Sequence, residues 1–245
     1  MKLALLPIAL ALLALSASNT IAREPDAARV SEIARWLPEQ PIAVGPAITN
    51  RTAWSKISAQ PVFDAIVSEA ASLAAKPVPA QSDDLYLDFS RTGNRDRWQN
   101  VAFARRGMIR TLLLAECIED KGRFIAPLEK LITALCEEKT WVYPAHDRSL
   151  NNFRQQDVEI DLGSSALAWE LATASRILGD RLSPITRQLI RDNLERRIFT
   201  SFRDSIRAKR GGNWWIKGNN NWNAVCLAGV TGAALATLES PEERA

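Results

Sequence analysis

Histidine, tyrosine and cysteine are scarce in this 245-residue chain, with one, two and three of each. The single histidine, His146, excludes any site built on a histidine pair. Three cysteines leave one thiol over from any disulfide. No two of Cys117, Cys136 and Cys226 have zinc-ligand spacing, and the sequence names no metal ligand and no cofactor. If Cys117 and Cys136 lie on antiparallel helices joined near Gly122, helical rise puts them roughly 5–8 Å and roughly 20 Å from the turn. A bridge needs Cα atoms within about 7 Å, so buried free thiols are expected. A net charge of +3 lacks the basic excess of a nucleic-acid binder. No stretch alternates with period two over a useful length, which removes the usual signal of half-buried strands.

What is present starts with Lys2, an apolar run from Leu3 to Leu15 broken only by Pro7, and a small-residue exit at Thr20-Ile21-Ala22. These are the parts of a secretory signal peptide over residues 1–22. The run is shorter than the roughly 20 apolar residues that span a bilayer, and no later stretch reaches that length. The mature chain, residues 23–245, is therefore expected in the periplasm or outside the cell, not as an integral membrane protein. Its 47% apolar content is enough for a sizeable core.

The remaining pattern is helical. Ala27 to Leu37 places Val30, Ile33, Ala34 and Leu37 on one face, ended by Pro38. Arg51 to Lys76 carries one or two Ala-rich helices with Pro61 at an N1 position. Pro77 to Ser90 reads as a loop or extended stretch. Val101 to Ile118 carries Phe103, Met108, Leu112 and Ala115 at helical spacing, and Phe124 to Cys136 repeats the pattern. After a loop from Trp141 to Asn152, another face runs through Leu162, Ala166, Trp169, Ala174 and Ile177-Leu178. Ser183-Pro184 opens the next helix as N-cap and N1, with a stripe of Ile185, Leu189, Leu194, Ile198, Phe202 and Ile206. A last helix begins near Asn221 or Asn223. Long helices joined by short turns pack as antiparallel neighbours, which predicts an all-α array of helical hairpins.

Three segments could carry chemistry. Gly211 to Asn223 packs Trp214, Trp215 and Trp222 together with Asn213, Asn219, Asn220, Asn221 and Asn223 between two helices. Indole faces stack on sugar rings, and amides both donate and accept hydrogen bonds. The alternative is a glycine-broken turn whose tryptophans plug the core and whose asparagines cap the helix. The second segment, Thr140 to Arg148, holds His146 between Tyr143 and the charges Asp147 and Arg148. Tyr143 is a packing residue unless a partner equips it for proton transfer. The third is the basic helix carrying Arg187, Arg191, Arg196, Arg197, Arg203, Arg207, Lys209 and Arg210. Interleaved Asp192, Glu195 and Asp204 make it read as an ordinary solvated helix. Asp157, Glu159, Asp161 and Glu170 offer carboxylates for a hydrolase, without locating the pair an inverting glycosidase needs.

The motifs Asp88-Phe89-Ser90-Arg91-Thr92-Gly93-Asn94-Arg95, Ala115 to Phe124, Cys136-Glu137-Glu138-Lys139-Thr140-Trp141, Pro144-Ala145-His146-Asp147 and Asn220-Asn221-Trp222-Asn223 occur in similar order in heparinase II/III-like proteins. The chain resembles that family over nearly all its length after residue 22. The resemblance implies the N-terminal part of an incomplete (α/α) toroid, without the β-sandwich domains that follow in the family. It also implies cleavage of uronate polysaccharides, of glycosaminoglycan or alginate type, by β-elimination. Asparagine would neutralise the uronate carboxylate, with Asn221 first and Asn220 second. Trp222 stands where some relatives carry histidine. His146, Tyr143, Arg148, Trp214, Trp215, Trp222 and Asn223 would line the substrate cleft. Family members continue into helices and sandwiches that supply a catalytic tyrosine and histidine, whereas this sequence stops at Ala245 with only Tyr86 and Tyr143. The expectation is therefore a truncated chain, with little turnover alone and a separately encoded C-terminal part as partner. The rival expectations are a non-catalytic carbohydrate-binding protein and an inverting glycoside hydrolase on an α/α scaffold.

Overall fold

The computed structural model describes residues 25–207 and 212–245, so the leader read at 1–22, together with Lys209, Arg210 and Gly211, lies outside the described residues. Every regular element within them is helical. The elements are α1 (Ala27–Ala34), α2 (Arg51–Ser58), α3 (Ile66–Ala74), α4 (Asp83–Thr92), α5 (Asp96–Glu119), α6 (Ile125–Cys136), α7 (Leu162–Leu178), α8 (Pro184–Leu194), α9 (Thr200–Ile206), α10 (Asn221–Thr237) and α11 (Pro241–Arg244). None of them is long and apolar enough to cross a membrane.

The helices form two layers. In front, α5, α7 and α10 lie side by side and run parallel. Arg106 of α5 reaches Gly163 of α7, and Arg110 pairs with Glu170 one to two turns further along both. On the other flank, Gly229 of α10 sits against the Ser165 backbone and Gly232 against the Trp169 indole. Behind them, α6 and then α8 with α9 carry the chain back. Glu129 of α6 accepts from the Ser183 N–H at the start of α8. The core fills the space between layers with Leu112, Leu128, Leu131, Ile132, Leu167, Leu171, Ile190 and Leu194, all fully buried.

Buried polar groups close the turns. The Glu116 carboxylate accepts from the Gly122 and Phe124 N–H groups at 2.6 and 2.9 Å, which fixes the α5–α6 turn. Arg197 does the same for the end of α6, donating to the carbonyls of Cys136, Glu138 and Lys139 with its guanidinium 4.9 Å from the Trp141 ring. Burial pushes its pKa down to about 10. All three cysteines are free and buried, as expected.

Several expectations need correction. Pro77 to Ser90 is not an extended stretch throughout: α4 starts at Asp83, because Ser82 caps it, Asp83 and Asp84 favour its first turn, and Gly93 ends it in the left-handed region at φ 74°. Phe103 is half-exposed, and Ala166 and Trp169 also face outward. Ile185 and Ile206 leave the stripe assigned to them, and Ile185 is 82% exposed. A π-helical turn at Glu195–Phe199 follows α8. It turns Arg197, Ile198 and Phe199 all inward, so Arg197 is not part of a solvated basic face.

The glycines of the front layer give a paired expectation. A methyl at Gly229 would meet the Ser165 carbonyl oxygen at 2.5 Å, whereas one at Gly107 in α5 meets nothing within 4 Å. Gly229→Ala should cost about 1–3 kcal/mol by overpacking. Gly107→Ala should add about 0.5–1 kcal/mol through helix propensity. Urea denaturation of the two variants measures both signs.

Candidate functional site

A strap, residues 141–147, crosses the N-terminal ends of all three front helices. Its Tyr143 ring lies 5.3 Å from Trp98 in the first turn of α5. Its His146 bonds Asp161, the N-cap of α7, and lies 4.5 Å from Trp222 in the first turn of α10. The strap is held by two buried charges. Arg106 donates to the Trp141 carbonyl, the Gly163 carbonyl and the Tyr143 hydroxyl at 3.2, 2.9 and 3.2 Å. Asp161 accepts from the Ser164 N–H through Oδ1, and from the Tyr143 N–H and the His146 ring through Oδ2.

Those contacts build a line of rings on the surface. Trp214, Trp222, His146, Tyr143 and Phe103 follow one another with centroid spacings of 5.2, 4.5, 5.5 and 5.9 Å. A cavity of about 420 Å³ opens beyond Phe103, lined among others by Lys76, Arg110, Thr111 and Glu69. The Tyr143 ring lies so close to α7 that a methyl at Gly163 would sit 2.0 Å from it. Glycine is therefore the residue that admits this ring. Another cavity, of about 350 Å³, lies between Ser82, Trp98, Arg105, Glu138 and Lys139 and is not lined by any residue of the Trp214–Trp222 segment.

The electrostatics are set by burial. Burial raises the Asp161 carboxyl, but its hydrogen bonds from His146, Tyr143 and Ser164 outweigh that and hold it below the ordinary value. The 2.7 Å contact from a carboxylate to Nδ1 places the histidine proton there and leaves Nε2 without a bond among the described residues. Burial likewise raises the Tyr143 phenol, with Arg106 working against it. The Tyr143 oxygen accepts from Arg106 while its own proton has no acceptor among the described residues. Glu170 is raised by burial too, with Arg110 3.7 Å away.

The Trp/Asn segment divides in two. Trp215 is fully buried, donates to the Ile160 carbonyl and stacks on Phe202, so its place in a substrate cleft is corrected to a place in the core. Asn223 is half-buried and donates to the Trp215 and Ile216 carbonyls, and Asn213 is buried with its amide bonded to Ile160, Ser201 and Ser205. Asn220 caps α10 by accepting from the Trp222 N–H. The outward half comprises Trp214, 57% exposed, half-buried Trp222, and the exposed Asn219 and Asn221, neither bonded among the described residues. Arg148 lies exposed just past His146. Asp161, raised earlier as a hydrolase carboxylate, is 2% exposed and committed to the strap.

Sequence reasoning missed Arg106. The signal was there: Arg105 and Arg106 fall between Ala102 and Ile109 on the buried face of α5, where an unpaired charge is not tolerated.

Comparison of the chain with family models and with curated proteins gave no match.

His146 is the only histidine, so its ring resonances are unambiguous. Nitrogen-15 NMR should find the neutral ring protonated at Nδ1. Asp161→Asn should abolish that single tautomer and lower stability by about 1–3 kcal/mol. Because the folded carboxyl is depressed, its contribution is complete at neutral pH. It fades only as the pH falls from about 3.9 through the lower folded value.

Proposed function

We propose that the line of rings is the floor of a polysaccharide cleft, and that the chain is a part of a lyase acting on uronate polymers by β-elimination. The two-layer run of hairpins is read as a sector of an (α/α) toroid. The observation that carries this reading is the juxtaposition of exposed, unbonded Asn221 with the ring line through its neighbour Trp222. The exposed indole of Trp214 and ring of Phe103 at the two ends of the line suit a sugar chain, since such rings bind a pyranose through its apolar face.

Elimination needs a proton removed from C5 of the uronate, whose acidity is weak while the adjoining carboxylate keeps its charge. An amide donating to that carboxylate stabilises the charge that develops on it, as an oxyanion hole does. Asn221 is assigned this task first and Asn220 second, the Asn220 oxygen capping α10 while its NH2 group remains a donor. Trp214, Trp222 and Tyr143 carry the sugar rings, with Arg148 at the edge for charge. Beyond Phe103 the polymer would continue past a cavity lined by Lys76, Glu69 and Arg110, the last paired with Glu170. A two-carboxylate hydrolase is disfavoured by the burial of Asp161 in the strap.

Calorimetric titration with hyaluronan and alginate oligosaccharides tests the reading independently of turnover. Saturable binding is expected, weakened roughly ten- to a hundredfold by Asn221→Ala and weakened again by Trp222→Ala. Carboxyl-reduced oligosaccharides should bind no better to the native chain than to Asn221→Ala. Equal affinity for the native and reduced sugars would sink the assignment of Asn221.

A further inference from the structure

Glycine weakens a helix interior, and in α7 and α10 close packing demands it. Gly163 admits the Tyr143 ring, Gly229 the Ser165 backbone and Gly232 the Trp169 indole. Gly107, in the middle of α5, is different. A methyl built there meets nothing within 4 Å, so no described neighbour requires glycine. Its bare backbone instead lines the cavity of about 420 Å³ that opens beyond Phe103. We infer that this cavity is a further sugar subsite, in which a uronate polymer lies directly on the α5 backbone at Gly107. The inference rests on the lyase reading above and extends the bound chain past the rings.

The cavity is continuous with the ring line, because Phe103 both ends the row and walls the opening. Its size falls among ligand clefts, which run from about 300 to 1,000 Å³. A second cavity, of about 250 Å³, shares Leu73, Lys76 and Met108 with it and leads on to Lys130. Together they form a groove between α3, α5 and α6. Leu73 and Met108 give it an apolar floor for the faces of sugar rings, and Thr111 and Glu69 offer oxygens to hydroxyls.

The charges suit an acidic chain. Lys76 and Lys130 are exposed and form no ion pair among the described residues, whereas Arg110 is paired with Glu170. Each lysine is therefore available to a carboxylate of the polymer. Length decides which oligosaccharides use them. The ring spacings of 4.5, 5.2, 5.5 and 5.9 Å each approximate one pyranose residue. A tetrasaccharide is thus about as long as the line, and only a longer chain reaches Gly107.

The test titrates the chain with hyaluronan and alginate oligosaccharides of increasing length in a calorimeter. An octasaccharide is expected to bind about tenfold more tightly than a tetrasaccharide. Gly107→Met introduces a good helix former that fills the cavity. It should remove that advantage and leave tetrasaccharide affinity unchanged, and Gly107→Ala should remove part of it. Neither variant should lower the midpoint of urea denaturation, which separates a blocked subsite from a damaged fold. Lys76→Gln and Lys130→Gln should each weaken the octasaccharide alone. Equal affinity for the two lengths, or an octasaccharide indifferent to Gly107→Met, would overturn the subsite and leave the ring-line cleft standing. No binding at any length would remove the cleft itself, and this inference with it.

Discussion

The Asp161 carboxylate is the contact on which the surface chemistry depends. One oxygen caps α7 through Ser164, and the other gathers the Tyr143 N–H and the His146 ring. A residue that begins a core helix thereby also fixes where two side chains of a loop stand. Local helix formation and the layout of the candidate site are thus one event. A charge buried this deeply is tolerable only when fully hydrogen-bonded, so the strap cannot drift without exposing the cost of the ion beneath it.

Arginine does comparable work elsewhere. Arg106 holds two carbonyls of the strap and α7, Arg197 closes the end of α6, and Arg51 bonds the Cys117 and Ile118 carbonyls at the end of α5. Arg244 bonds the carbonyls of Pro38, Glu39 and Gln40 and so ties α11 to the connector after α1. In each case a planar cation satisfies backbone oxygens that a helix end or an irregular loop leaves unpaired. The irregular connectors are held by these clasps rather than by regular hydrogen-bond ladders.

The sequence made the helical class readable because apolar residues recur at helical spacing in α5, α6, α7 and α8. It made the hairpin turns readable through Gly122 and Ser183-Pro184. It hid α4, whose Leu85, Leu87 and Phe89 fall at alternate positions and read as extended as readily as helical. It also hid the π-helical turn, since one residue of slippage looks like an imperfect stripe. In the site, composition singled out the Trp/Asn segment but could not divide it. Trp214 and Trp215 are neighbours of one type, and only packing decides that one faces solvent and the other Phe202. The partners of Tyr143 and His146, Arg106 and Asp161, lie 37 and 15 residues away in the chain, so no local window contains them.

The parallel course of α5, α7 and α10 has an electrostatic corollary. Each helix start carries roughly half a positive charge from its aligned peptide dipoles, and the strap brings the ring line over all three starts. At α7 that charge is met by the buried Asp161 carboxylate and at α5 by Asp96 in the first turn, whereas α10 is capped by the neutral Asn220. A chain with a net charge of only +3 can therefore keep, at the start of α10, a local pull on anions that neither rising pH nor acylation of its lysines would switch off.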